Sequence, residues 1–132
     1  MSIVHLNPAG MYQSPVFSQG IILPAGARTL LIGGQNGVNA RGEIVGKGDV
    51  ARQTEQALSN LQMVLAAAGA RLEDLVKVTI IMQQDIDLNA AFGAWIAVWG
   101  TRGNPPTVTA LRVVGLANPD FLIEIEAQAV LP

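Results

Sequence analysis

The chain has 132 residues, half of them hydrophobic and 14% charged, with a formal net charge of −2 and no cysteine. That length suits one domain, 1–132, around a single core, and the scattered Lys and Arg residues exclude the clustered cationic footprint of a nucleic-acid or anionic-membrane partner. Without cysteine there are no disulfides, thiolate nucleophiles or cysteine-held zinc, which suits a reducing cytoplasm.

The start, Met1-Ser2-Ile3-Val4-His5, has no basic stretch leading into an apolar one, so no signal peptide is expected. No apolar run approaches the ~20 residues of a membrane helix. The first sixteen residues, with Asn7-Pro8-Ala9-Gly10 and Ser14-Pro15, read as an irregular arm. A strand over Phe17–Leu23, a Pro24-Ala25-Gly26 turn and a buried strand Thr29–Ile32 predict a hairpin. Gly33-Gly34-Gln35-Asn36-Gly37 lacks the spacing and lysine of a phosphate loop and reads as a tight turn after the buried strand. A polar loop over 36–48 has room for a short strand at Glu43-Ile44-Val45.

Asp49 is a predicted helix cap. Val50, Thr54, Ala57, Leu58, Leu61, Val64, Leu65 and Ala68 then recur at three- and four-residue spacing, the apolar stripe of a helix about five turns long. Gly69 is placed to end it in a left-handed conformation. Leu75–Met82 is rich in β-branched residues and predicts a buried strand. A second helix follows over Leu88–Trp99, capped by Asp87, with Leu88, Ala91, Phe92, Trp95 and Trp99 as its inner stripe. Strands Thr107–Val114 and Phe121–Val130 complete an α/β (α+β) chain, a sheet covered on one face by two helices. The other, apolar face is left bare in a single protomer, which favours a closed symmetric oligomer.

Chemistry-bearing patterns are few. His5 is a lone histidine in the arm, and the bland expectation is a solvated one. No histidine cluster or carboxylate spacing marks a metal site. In Ile123-Glu124-Ile125-Glu126-Ala127 the period of two sets Glu124 and Glu126 on one face. They read equally as a solvated face or as a cleft carboxylate that holds or activates water. Val108, Ala110 and Arg112 share a face of their strand, and Arg112 is expected to pair with a neighbouring Glu more readily than to bind a ligand carboxylate.

Seven stretches taken together carry a resemblance: Phe17-Ser18-Gln19-Gly20, Gly33-Gly34-Gln35, Gln53-Thr54 with Gln56-Ala57-Leu58 and Asn60-Leu61, Val64–Gly69, Leu75-Val76-Lys77-Val78-Thr79, Pro105-Pro106 and Ile123–Ala127. In this order the chain resembles the RidA/YjgF superfamily over nearly its whole length. The resemblance implies a chorismate-mutase-like fold, a cytoplasmic homotrimer, and ligand clefts between subunits. It implies hydrolysis of reactive enamines and imines such as 2-aminoacrylate, with no metal or organic cofactor. In that family an Arg binds the substrate carboxylate, a backbone amide assists, and a Glu on the last strand positions water.

Carried over position by position, the family Glu falls on Glu124 and is retained. The Arg falls on Val108, after Pro106-Thr107, and the assisting amide is that of Ala110. The family Tyr falls on Phe17, and the family Ser, in a Ser-Gly-Gln run, on Gly33, with Gln35 lining the same cleft. The loop before Glu124 is one residue longer than usual. A lost Arg–carboxylate bond is worth ~1.5–3 kcal/mol. The expectation is therefore a RidA-like protein, of a subgroup without the deaminase arginine, that binds or hydrolyses a small metabolite other than the usual 2-imino acids. Two alternatives stay open in the sequence: an imine deaminase with a substitute cation, Arg112 or a neighbour's Arg102, and a non-catalytic trimeric regulator.

Overall fold

A computed structural model describes residues 2–132. Among the described residues the elements are β1 (Val4–Leu6), β2 (Gly20–Ile22), β3 (Thr29–Gln35), α1 (Val50–Ala67), a 3₁₀ turn (Leu72–Asp74), β4 (Leu75–Gln83), α2 (Leu88–Trp99), β5 (Thr107–Val113) and β6 (Ile123–Val130). The main sheet runs β3-β6-β4-β5. Its β3–β6 and β6–β4 pairs are antiparallel and β4–β5 is parallel, joined through α2. This is a mixed-sheet α+β fold with both helices on one face, as the alternation in the sequence requires.

The core lies between that face and the helices. Ile123, Ile125, Ala127 and Ala129 of β6 and Val78 and Met82 of β4 meet Leu58, Leu61 and Leu65 of α1 and Trp95 and Trp99 of α2. Each helix starts where a carboxylate takes its orphan amides: Asp49 accepts from Arg52 N, and Asp87 from Asn89 N and Ala90 N. Gly69 follows α1 at φ +72°, a conformation that costs a glycine little. Along α2 the inner stripe is Ala91, Ala94, Trp95 and Trp99. Leu88 and Phe92, expected inside, are 44% and 46% exposed. They sit at the rim where α2 passes over the sheet edge, and Ala94 takes the inward place.

Three other expectations are corrected. The arm contains a strand, since β1 pairs antiparallel with β2, so the Phe17–Leu23 region pairs with the arm and not with Thr29–Ile32. Gly33 and Gly34 form no turn: β3 continues through them to Gln35, and the register shifts between Ile32 and Gln35, the irregularity that glycine permits in a strand. The 43–45 segment makes a single bridge, Val38 with Ile44. The helix-free face is also less apolar than expected. Lys77, Thr79, Glu124, Glu126 and Gln128 form its centre, with exposed Leu31 and Leu111 toward the edges.

Candidate functional site

Glu124 leaves β6 on the helix-free face, beside Ile81 of β4, and is half-buried. Its Oε1 accepts from Asn36 Nδ2 at 3.1 Å. A Cβ built on Gly34 would overlap Oε2 of the same carboxylate, so glycine here lets Glu124 keep this orientation. Gly33 is exposed on the same strand. The Gln35 amide folds back onto the Gly33 carbonyl at 3.1 Å. Glu126 shares the face and is exposed, lining with Lys77, Thr79, Gln128, Leu31 and Gly33 a groove of about 240 Å3.

Val108 and Ala110 lie elsewhere. In the β4–β5 register they sit beside Val78 and Ile80, and Arg112 beside Met82; Val78 and Met82 point into the helix-covered core. Val108 and Ala110 therefore face α2, opposite to Glu124. With Ile80, Leu88, Phe92 and Trp95 they line an apolar cavity of about 90 Å3. Thr54 is its one polar side chain, and the Thr54 hydroxyl is committed to the Val50 carbonyl.

The sequence had grouped Glu124, Val108 and Ala110 at one cleft. Within one protomer they occupy two sites on opposite faces of the sheet.

The two arginines considered as substitute cations are engaged. Arg112 donates to the Gln84 carbonyl at 2.8 Å and pairs with no Glu. Arg102 bonds Glu73 at 3.0 Å and caps the last carbonyls of α2, those of Val98 and Trp99. Of the strand residues, Lys77 is the one Lys or Arg on the Glu124 face among the described residues. Phe17 is half-buried beside Tyr12, with ring centroids 6.4 Å apart. His5 is not solvated as expected: its Nδ1 bonds Ser18 Oγ at 2.9 Å, and Ser18, 2% exposed, donates in turn to the Pro105 carbonyl. The serine proton goes to a carbonyl, so Nδ1 is the donor of the pair and Ser18 is no activated nucleophile. No group of three or more His, Cys, Asp or Glu residues could hold a metal among the described residues.

The sequence read Gly34 and Asn36 only as parts of a turn, and missed that Gly34, within β3, and Asn36, just after it, meet Glu124. Nothing local shows that role, because their partner Glu124 lies on the last strand.

The family described as Endoribonuclease L-PSP matches residues 8–131. The chain belongs to this family, the Rid/YjgF (RutC) proteins. A Rid family protein of unknown function from Yersinia pestis has a crystal structure that superposes with a TM-score of 0.88, at 40% identity over 99% of this chain and 100% of that one. A RutC family protein of Synechocystis is 33% identical over 95% of this chain and 89% of its own length. The 2-iminobutanoate/2-iminopropanoate deaminase of Rattus norvegicus is 36% identical over 86% of this chain and 79% of its own. E. coli TdcF with bound serine superposes with a TM-score of 0.71, at 27% identity, covering 82% of this chain and 84% of that one. The α+β architecture expected of a Rid protein is the one observed. No helix among the described residues is long and apolar enough to cross a membrane.

Proposed function

We propose that this Rid protein belongs to a subgroup without the deaminase arginine, and that it hydrolyses a small, largely apolar imine bearing no carboxylate. The site is a cleft between protomers of a homotrimer, with Glu124 from one protomer and the Val108 cavity from the next. The observation that carries the reading is the cavity itself. Val108 opens into a space lined by Ile80, Phe92, Trp95 and Ala110 and offering no cation. A carboxylate buried there unpaired would cost on the order of several kcal/mol, whereas an apolar group gains about 25 cal/mol per Å2 removed from water.

The chemistry needs no cofactor. Glu124 takes a proton from water as the water oxygen bonds to the imine carbon. Glu124 returns that proton to the nitrogen, then carries the carbinolamine hydroxyl proton to it as the C–N bond breaks, leaving a carbonyl and ammonia. The rat relative's name supports imine chemistry as a class, and the serine in TdcF supports a small-molecule ligand. The family's endoribonuclease description finds little support here: an RNA backbone calls for clustered cations, and this chain has a net charge of −2. Lys77, sharing the Glu124 face, favours one second reading, a 2-imino acid deaminase with Lys77 as its cation.

The test compares two imines made in situ by flavin oxidases: benzaldimine from benzylamine, and 2-iminopropanoate from alanine. Each is followed by competition with semicarbazide trapping. Wild type is expected to accelerate loss of benzaldimine and not of 2-iminopropanoate. Glu124→Gln should abolish that activity, and Val108→Arg should shift the preference toward the imino acid. Equal action on both imines would point to the Lys77 reading. A wild type silent on both would overturn hydrolysis of imines by this chain.

A further inference from the structure

We propose that Asn36 is a positioning residue that ties down one oxygen of Glu124 and leaves the other to the water; the proposal rests on the reading of Glu124 given above. The Asn36 Nδ2 group donates both its hydrogens to β6, one to Glu124 Oε1 at 3.1 Å and one to the Ile123 carbonyl at 3.2 Å. Both partners are acceptors, which fixes the orientation of the amide.

Asn36 is itself held. Asn60 on α1 donates to the carbonyls of Asn36, at 3.3 Å, and Val38, at 2.8 Å, and Gln56 donates to Asn60 Oδ1 at 2.9 Å. A run of amides thus connects α1 to the carboxylate, through a loop that would otherwise leave the Asn36 side chain free to turn. Glu124 Oε2 accepts no bond from the described residues, and it packs over Gly34, where the missing Cβ makes room for it. One oxygen is committed and one is presented. A bond to a carboxylate is stronger than one between neutral groups, and a carboxylate held in one rotamer need not be reordered at each turnover.

Asn36→Leu removes the amide at similar volume, and Asn36→Asp keeps the shape but sets an acceptor against an acceptor. With benzaldimine as the probe, each should lower kcat about tenfold or more while KM stays within about twofold, with Asn36→Leu still folding cooperatively at a midpoint lowered by no more than several degrees. A second readout needs no activity. In protein labelled with 15N-asparagine, one Asn36 side-chain amide proton should lie downfield in wild type and move upfield in Glu124→Gln. A wild-type kcat in Asn36→Leu overturns the proposal, and so does an Asn36 amide signal indifferent to Glu124→Gln. If wild type is silent on both imines, the reading of the site fails by itself, and the amide spectrum still decides whether Asn36 holds Glu124.

Discussion

Glu124 and Gly34 compete for the same space, and that makes glycine at 34 a functional residue without any functional group. In Gly34→Ala the new methyl meets the far end of a flexible side chain, so the carboxylate turns away and the backbone stays. The expected stability loss is under ~1 kcal/mol, with the Glu124-dependent activity lost. At Gly37 the obstacle is different: a Cβ would lie 2.8 Å from the Gln53 Cα. There backbone must move, so Gly37→Ala should cost about 1–3 kcal/mol. Urea unfolding of the two variants beside their imine hydrolysis separates these outcomes. Glu124 was legible in the sequence because strand alternation is local. Asn36 was not, since its amide matters only through a residue 88 positions away. The separation of Val108 from Glu124 escaped for a related reason. Alternation gives the face of each strand relative to itself, and β4 lies between β5 and β6.

At the scale of elements, the two helices were readable because period, cap and stop agreed. Asp49→Ala should lose about 1 kcal/mol in urea unfolding, because it removes the acceptor of the Arg52 amide. β1 and β2 were not readable as a pair. Three-residue strands carry too little alternation, and the Pro and Gly around them read as arm and turn. The 3₁₀ turn after α1 holds a pH-dependent contact. The Glu73 carboxyl lies below its ordinary value of 4.5, chiefly through a backbone hydrogen bond and then through the Arg102 guanidinium. A depressed carboxyl contributes stability above its unfolded value and loses it as pH falls through the folded one. Both side chains are largely exposed, so Glu73→Gln should cost only about 0.5 kcal/mol at neutral pH. That difference should shrink in parallel urea titrations as the pH falls below the ordinary carboxyl value and through the lowered folded one.

At the scale of the whole molecule, the expectation of a bare sheet face held, but its centre is a polar row around Glu124 and Lys77 and not a greasy slab. A central polar row with apolar edges suits a face that meets other protomers while keeping a wet cleft. Light scattering should therefore give the mass of three chains, and a monomer would leave Glu124 and Val108 without a shared cleft.

The most direct test mixes two inactive parents: Glu124→Gln, which lacks the carboxylate, and Ala110→Trp, which fills the cavity. Each is first shown to assemble, then the two are unfolded, combined in equal amounts and refolded. If one cleft draws on two protomers, about a quarter of all the refolded sites, all of them in mixed oligomers, regain both parts. Benzaldimine hydrolysis should return to roughly that fraction of wild type. Mixed oligomers as inactive as their parents would contradict the account.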